Sequence, residues 1–484
     1  MKRVAAVLAL AVLAVPALAT AFPNTEPLAA KQWYLERDSA WDFWPTIPQL
    51  YPVKVAIVDS GIDGSHPDLM GRVIAARSFV GGSPYRDEDG HGTFVAGEIA
   101  ANASNNLGIA GLAFNARLIV AKVVTASGDV SLPAEVAAIR WAADEGAQVI
   151  NLSLGGVRDP LDPELDTYSP LEQAAVEYAY AKGSVVVAAV GNGPESPATP
   201  WNYADYPAAL PHVIGVSAVR EDGSVPLYSN RDAVYNDIAA PGDDIFSTIP
   251  TNLVSSTPGC ANDPYSDCGP IEFRDAIGTS FAAPQVSAAA ALLLGQDPTL
   301  RPEQVSWLLE RSATDDDAST GCAQCPPGRD ALTGWGMLDV DSALSMLTSG
   351  VRLPPPDHYE PNDDAGPWAH ALPPLPRTIT ATLDYWDDNV DVYRVRLTKG
   401  QHLYARLTPA SAATVRLALW APHTQHVESL DLTNVRLARS HRSGLQARLA
   451  YRARQSGTFY LEAKLVSPTF DPVQYALSVT RRSA

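Results

Sequence analysis

Cysteine is scarce in this chain of 484 residues: there are four, at Cys260, Cys268, Cys322 and Cys325. So few cannot form the dense disulfide framework that replaces a core in small secreted modules. Four cysteines allow three pairings, and sequence spacing favours Cys260 with Cys268 and Cys322 with Cys325. The C-x-x-C at 322 lies in the turn-rich GCAQCPPG and has no second C-x-x-C, so a local disulfide is expected there rather than redox or zinc chemistry. Basic residues are also short. The 35 Lys and Arg against 54 Asp and Glu leave a net charge of -19, which argues against the concentrated basic surface that a nucleic-acid partner demands. Charge of either sign is sparse, at 18% of residues against 46% apolar, which is the composition of a globular chain and not of a disordered one. Beyond the N-terminus no apolar run is long enough to span a bilayer.

The N-terminus itself reads MKRVAAVLALAVLAVPALATAF, with Lys2 and Arg3 before an apolar run and small residues at A-x-A spacing. This is the pattern of a secretory signal peptide over residues 1–21, cleaved after Ala19 or Ala21. The run from Val4 to Ala19 falls short of the roughly 20 residues a membrane span needs. A soluble, monomeric exported protein is expected, extracellular or periplasmic.

Residues 22–349 alternate short apolar runs with helical patterns. The runs are VKVAIVD (53–59), ARLIVAKVV (116–124), AQVINLSLG (147–155), SVVVAAVGN (184–192) and HVIGVSAV (212–219). Segments 133–146 and 169–183 lie between them and read as helices, the second with a serine cap, a proline in its first turn and a terminal glycine. Continuous Val, Ile and Leu runs suit strands buried on both faces, which predicts an α/β fold with a mainly parallel sheet covered by helices on both faces. VRLPPPD (351–357) marks a proline-rich linker over 350–357. Beyond it, YRVRLT (393–398), LYARLT (403–408), TFYLEAKL (458–465) and YALSVT (475–480) alternate with period two, so residues 358–484 are expected to form a β-sandwich. Charge divides at the same place: 358–484 hold 15 Lys and Arg against 11 Asp and Glu, a net +4 within an acidic chain.

Three segments place reactive side chains at strand ends and helix starts, where α/β chemistry sits. VAIVDSGID ends a buried run in Asp59, DGHGTFVAG opens a helix at His91, and GTSFAAPQVSAAAALLLG opens another at Ser280, with Pro284 tolerated in its first turn. Each has a plainer reading: Asp59 as a turn residue, Ser280 as a helix cap, His91 as a ligand beside Asp87, Glu88 and Asp89. Together they form a possible hydroxyl nucleophile, imidazole base and orienting carboxylate.

VAIVDSGIDGSHPDL, DGHGTFVAG, INLSLGG, VVVAAVGN and GTSFAAPQVSAAAALLL, in that order, resemble the signatures of subtilisin-like serine peptidases. The resemblance covers roughly residues 31–347 and implies a catalytic triad of Asp59, His91 and Ser280. It further implies an oxyanion-binding Asn192, a substrate-binding edge at Ser153, Leu154 and Gly155, and an opposite rim at Gly128. Protein or peptide substrates would add to that edge as an extra strand. Asp205, before Tyr206 and Pro207, matches the floor of the primary specificity pocket, where it would favour a basic residue; the alternative is a surface aspartate. Asp68 and the loop NASNNLGIAG resemble a structural calcium site formed by Asp68, Asn105 and carbonyls of Ala103, Leu107 and Ile109. Only about ten residues separate the signal from KQWYLERDSAWDFW, which resembles the family's mature N-terminus, so no propeptide is expected between them.

The segments DHYEPNDDAG, DDNVDVYRVRLTKGQHL, SGTFYLEAKL and YALSV resemble the prepeptidase C-terminal β-sandwich of bacterial peptidases. That resemblance implies either a calcium site at Glu360, Asn362, Asp363, Asp388 and Asp391, with His358 where another acid can stand, or a linker with solvated acids.

Overall fold

The computed structural model describes residues 26–44, 46, 48–125, 128–193, 200–256, 269–355, 357–427, 435–443 and 445–483. The expected signal peptide and the expected Cys260–Cys268 pair lie outside these residues.

A seven-stranded parallel sheet carries the first part of the chain. Its strands are β1 (Val53–Asp59), β2 (Val73–Ser78), β3 (Ala116–Lys122), β4 (Val149–Leu152), β5 (Val185–Ala189), β6 (Val213–Val219) and β7 (Ile238–Pro241), in the order β2-β3-β1-β4-β5-β6-β7. Each apolar run of the sequence became one of the five inner strands. The edge strands β2 and β7 do not announce themselves: β2 is half-exposed and mixed in character, and β7 has only four residues.

β1 is buried apart from Lys54, and its residues serve both faces alternately. Val53, Val55 and Ile57 pack in one core with helices α2 (His91–Ala100), α5 (Thr279–Gln296), α6 (Pro302–Ser312) and α7 (Val340–Thr348), the short α1 (Trp33–Arg37) joining the same core. Ala56 and Val58 pack on the other face with α3 (Leu132–Asp144) and α4 (Pro170–Ala181). α4 starts as its sequence suggests, the Ser169 hydroxyl accepting from Glu172 N before Pro170. β8 (Ile245–Thr248) and β9 (Phe273–Ala276) form a separate antiparallel pair.

α5 breaks the amphipathic pattern: apart from Ser280 and Gln296, every residue is buried. Pro284 is also deeper than the sequence reading placed it, at the sixth residue and beyond the first turn. A proline there cannot donate to the carbonyl four residues back, that of Ser280. That carbonyl instead accepts from the Ser153 hydroxyl at 2.7 Å, which ties the end of β4 to the start of α5.

The C-terminal strands form two five-stranded sheets. One is ordered β10-β12-β18-β14-β15, from β10 (His370–Ala371), β12 (Val390–Leu397), β14 (Val415–Trp420), β15 (Arg436–Arg439) and β18 (Gly457–Leu465). The other is ordered β11-β19-β13-β17-β16, from β11 (Arg377–Leu383), β13 (His402–Pro409), β16 (His441–Ser443), β17 (Gln446–Arg452) and β19 (Val473–Arg482). Leu403, Leu407 and Leu477 from one sheet share a core with Tyr393, Leu417 and Phe459 from the other. Cys322 and Cys325 are joined by a disulfide, and among the described residues no helix is long and apolar enough to cross a membrane.

Candidate active site

Asp59 is the last residue of β1 and His91 the first of α2, so strand end and helix start deliver carboxylate and imidazole to one point. His91 Nδ1 lies 2.9 Å from both Asp59 oxygens, and both residues are buried. Asp59 Oδ1 also accepts from Ser60 N at 2.7 Å. With Nδ1 on the carboxylate, the proton of the neutral ring is held at Nδ1 and the tautomer is set by Asp59. Burial alone would lower the His91 pKa, but the charge and hydrogen bond of Asp59, with Asp89 and Asp87 behind it, raise it above its ordinary value.

The acidic run before His91 divides into separate roles. Asp87 clasps the start of α2: its carboxylate accepts from the Ser60 hydroxyl, Gly90 N, Thr93 N and the Thr93 hydroxyl at 2.6–2.9 Å. Glu88 pairs with Lys122, whose ammonium is otherwise buried, and with Arg86. Asp89 accepts from His91 N at 3.3 Å, and burial raises its own pKa. Gly92 must be glycine, since a Cβ there would stand 2.2 Å from the Gly61 carbonyl oxygen.

Ser280, partly exposed at the second position of α5, has a backbone N–H without an intrahelical acceptor. The neighbouring Phe281 ring packs against His91, with centroids 5.2 Å apart, so the start of α5 sits beside the imidazole. Asn192, just beyond β5, is oriented from α5: its Oδ1 accepts from Thr279 N at 2.8 Å and from the Thr279 hydroxyl at 3.0 Å. Its Nδ2 has no acceptor among the described residues and lies 3.5 Å from where a Cβ on Gly278 would stand, two residues before Ser280. Sequence reasoning missed Thr279 as the residue that sets this asparagine, and missed Asn151, which donates to Ser153 Oγ and accepts from Ser287.

Ser153, Leu154 and Gly155 continue β4 past its last sheet residue. The strand end is bonded on one side only by Gly156, which exchanges backbone hydrogen bonds with Tyr206 at 2.8 and 2.9 Å. Gly128, with φ of 83°, stands across the site, where a Cβ would approach Asp89 at 3.9 Å. Asp205 falls between the segments after β4 and after β5: a Cβ on Gly155 would meet its Cβ at 3.3 Å, and one on Gly191 would meet its Oδ2 at 2.1 Å. Its Oδ1 has no hydrogen-bond partner among the described residues. Burial raises its pKa to about 7, with Arg158 N–H and Asn230 opposing.

The polar loop after α2 also converges. Asp68 accepts from Asn105 Nδ2 and Ile109 N, each at 2.8 Å, and Leu107 N donates to Asn105 Oδ1. Ala103 opens the same loop. Glu26, which the sequence reading did not include, is buried against it and accepts from Leu107 N at 2.8 Å. Burial raises the Asp68 pKa to about 6. Two buried carboxylates and an amide oxygen are a hard-oxygen donor set that fits calcium once the Asn105 amide turns its oxygen inward. In the C-terminal part, Asp357, Glu360 and Asp391 converge, as do Glu360, Asp363 and Asp388. Asp357, next to His358 and absent from the set expected from sequence, supplies the further acid of this cluster. Asn362 holds the loop instead of facing the acids openly, donating to Glu360 and accepting from Val392 N.

Residues 52–336 match the subtilase family model. The chain belongs to the subtilase family and is a subtilisin-like serine endopeptidase. Subtilisin DY of Bacillus licheniformis is 39% identical over 292 residues, which cover 60% of this subtilase and 90% of that protein. Thermitase of Thermoactinomyces vulgaris is 36% identical over 279 residues, covering 57% and 86%. Among solved structures, fervidolysin of Fervidobacterium pennivorans, a keratinolytic enzyme related to subtilisin, is 26% identical with a TM-score of 0.55, covering 90% of this subtilase and 55% of that chain. A protease of Pseudoalteromonas arctica is 25% identical with a TM-score of 0.53, covering 67% and 99%.

Proposed function

We propose that this subtilase is an exported endopeptidase that cleaves extended polypeptides through Asp59, His91 and Ser280 by way of an acyl-enzyme. The observation that carries this reading is the buried Asp59–His91 pair set beside the start of α5, with Asn192 held by Thr279. Ser280 Oγ attacks the scissile carbonyl while His91 Nε2 takes its proton. Asn192 Nδ2 and Ser280 N–H receive the negative charge on the carbonyl oxygen. As the tetrahedral intermediate collapses, His91 returns the proton to the leaving amine, and water then releases the acyl group by the same route. Asp59 holds the imidazole tautomer and offsets its charge.

Substrate adds as a strand along Ser153, Leu154 and Gly155, with Gly128 on the far rim and Asp205 at the floor of the primary pocket, where it favours a basic side chain. Calcium at Asp68, Asn105 and Glu26, with carbonyls of Ala103, Leu107 and Ile109, stiffens the loop after α2. A second calcium set lies at Glu360, Asp363, Asp388 and Asp391, with Asp357 in addition and Asn362 supporting it. Residues 1–21 act as export signal, 22–349 as the catalytic domain, 350–357 as linker and 358–484 as a prepeptidase C-terminal-type module. The disulfide at Cys322–Cys325 agrees with an oxidising compartment.

The test compares wild type with Ser280→Ala. Wild type is expected to be labelled by a fluorophosphonate and to hydrolyse casein, and S280A to do neither. Equal labelling of the two proteins, or intact casein with wild type, overturns the assignment.

A further inference from the structure

The C-terminal sheets meet the α/β part at a seam whose polar groups the peptidase reaction does not use. His212, at the start of β6, presents Nε2 to Asp363 Oδ2 at 3.2 Å, Glu360 Oε2 at 3.5 Å and Glu177 Oε2 at 4.0 Å. Glu177 on α4 and His212 come from the α/β part; Glu360 and Asp363 come from the other side of the proline-rich segment. All four side chains are almost wholly buried. Glu177 is 0% exposed, yet neither of its carboxylate oxygens has a hydrogen-bond partner among the described residues, and Asp363 Oδ1 and His212 Nδ1 are in the same condition. An unpartnered buried carboxylate is costly, and aiming it at two further carboxylates adds repulsion.

One imidazolium cannot balance the seam. Three overlapping groups, Glu177–His212–Asp363, Asp357–Glu360–Asp391 and Glu360–Asp363–Asp388, chain six carboxylates through the seam to one histidine. The spacing suits a cation. Bonds of about 2.0–2.1 Å to a tetrahedral ion put neighbouring ligand atoms about 3.3 Å apart, and the ligand atoms of Glu177, His212 and Asp363 lie within 4.8 Å of one another. An imidazole nitrogen among carboxylates favours a first-row divalent ion over calcium, whose ligands are oxygens. The backbone is also bent to offer this ring. His212 has φ of 62°, uncommon for a residue with a side chain, while its imidazole lies stacked on Tyr180 with centroids 3.8 Å apart.

We infer that Glu177, His212 and Asp363 bind a divalent transition-metal ion of the zinc class, two ligands from the α/β part and one from the C-terminal part with water in the fourth position, which fastens the C-terminal sheets to the α/β part. The site shares Asp363 with the all-oxygen calcium set proposed at Glu360, Asp363, Asp388 and Asp391, with Asp357 in addition, and differs from that set in holding an imidazole nitrogen. It does not depend on the triad.

The experiment uses the full chain carrying Ser280→Ala, which removes self-cleavage. Metal analysis by plasma mass spectrometry after dialysis is expected to find about one zinc-class equivalent per chain, as a folded structural site retains its ion. Chelator-stripped protein is expected to take up added zinc in calorimetry with a rise in Tm. Glu177→Gln and His212→Asn are expected to lose the equivalent, and asparagine tolerates the positive φ at 212. Retention of the ion by H212N, calcium as the only retained metal, or no uptake of zinc by the stripped protein each overturns the inference. The uptake measurement stands even if a variant misfolds.

Discussion

His91 works between two aspartates with different duties. Asp59 bonds to the ring and fixes its tautomer, whereas Asp89 only adds charge nearby and accepts from the backbone N. A raised His91 pKa means that the neutral base is reached at higher pH than for an ordinary imidazole. Asp89→Asn keeps an acceptor for His91 N while removing the charge, so the acidic limb of kcat/KM is expected to move to lower pH. An unmoved limb would show that the Asp89 charge adds nothing to the basicity, leaving it to Asp59 and Asp87. Asp205 gives a second, independent titration. Its carboxyl, pushed up to about 7 by burial, gains its charge as pH rises through that value. The ratio of kcat/KM for a substrate with lysine at the cleaved position to one with phenylalanine is therefore expected to climb through about pH 7. Titration of His91 is common to both substrates and cancels in the ratio. Asp205→Asn should flatten the curve; a flat curve in wild type would mean that the carboxylate faces away from the pocket.

At the scale of elements, the sheet was readable because strands buried on both faces need continuous apolar runs, and five of the seven supplied one. The edge strands β2 and β7 were not, since a half-exposed or four-residue strand carries no such run. The reactive residues were readable because they sit where strands end and helices begin. Their supports were not: Glu26 acts on Leu107 at 81 residues' separation, Thr279 on Asn192 at 87 and Asn151 on Ser287 at 136, and no local pattern records that. The Asp87 clasp belongs to this scale. Asp87→Ala would strip the Ser60 hydroxyl and three donors at the start of α2 of their acceptor, with an expected loss of about 2–4 kcal/mol in stability by denaturant titration. It should also lower kcat, because α2 carries His91 as its first residue. The loop after α2 provides the other element-level prediction. The calcium ion proposed on Asp68, Glu26 and Asn105 would bind the folded loop only, so at a free concentration 100 times Kd it would add about 2.7 kcal/mol. EDTA should lower Tm in wild type and do so less in Asp68→Asn; equal shifts would place the stabilising ion elsewhere.

The whole molecule is held by a second kind of seam beside the His212 cluster, built from cations and rings. The Arg311 guanidinium lies 3.7 Å over Trp335 and 4.4 Å over Phe470, and that of Arg329 lies 3.6 Å over Trp386. Trp335 meets Trp386 and Phe470 edge-on at 5.9 and 5.3 Å. Arg329 is fixed from the α/β side, donating to the carbonyls of Ala233, Val234 and Asn236 at 2.7–2.8 Å and pairing with Asp237. It cannot swing out to water when its aromatic cover is lost. Trp386→Ala removes that cover and the ring facing Trp335 without touching any ligand proposed for the metal. In the S280A background it is expected to destabilise the chain by about 2–3 kcal/mol, through lost apolar burial and one cation–π contact. Calorimetry distinguishes two ways this can appear. If the seam couples the two parts, W386A splits one unfolding transition into two, the C-terminal sheets melting first; a single transition at the wild-type Tm would show that the aromatic contacts add nothing to the union. Combining W386A with H212N tests whether the two seams act together, since sites that share only a rigid interface should lose stability additively and sites that fasten the same docking step should not.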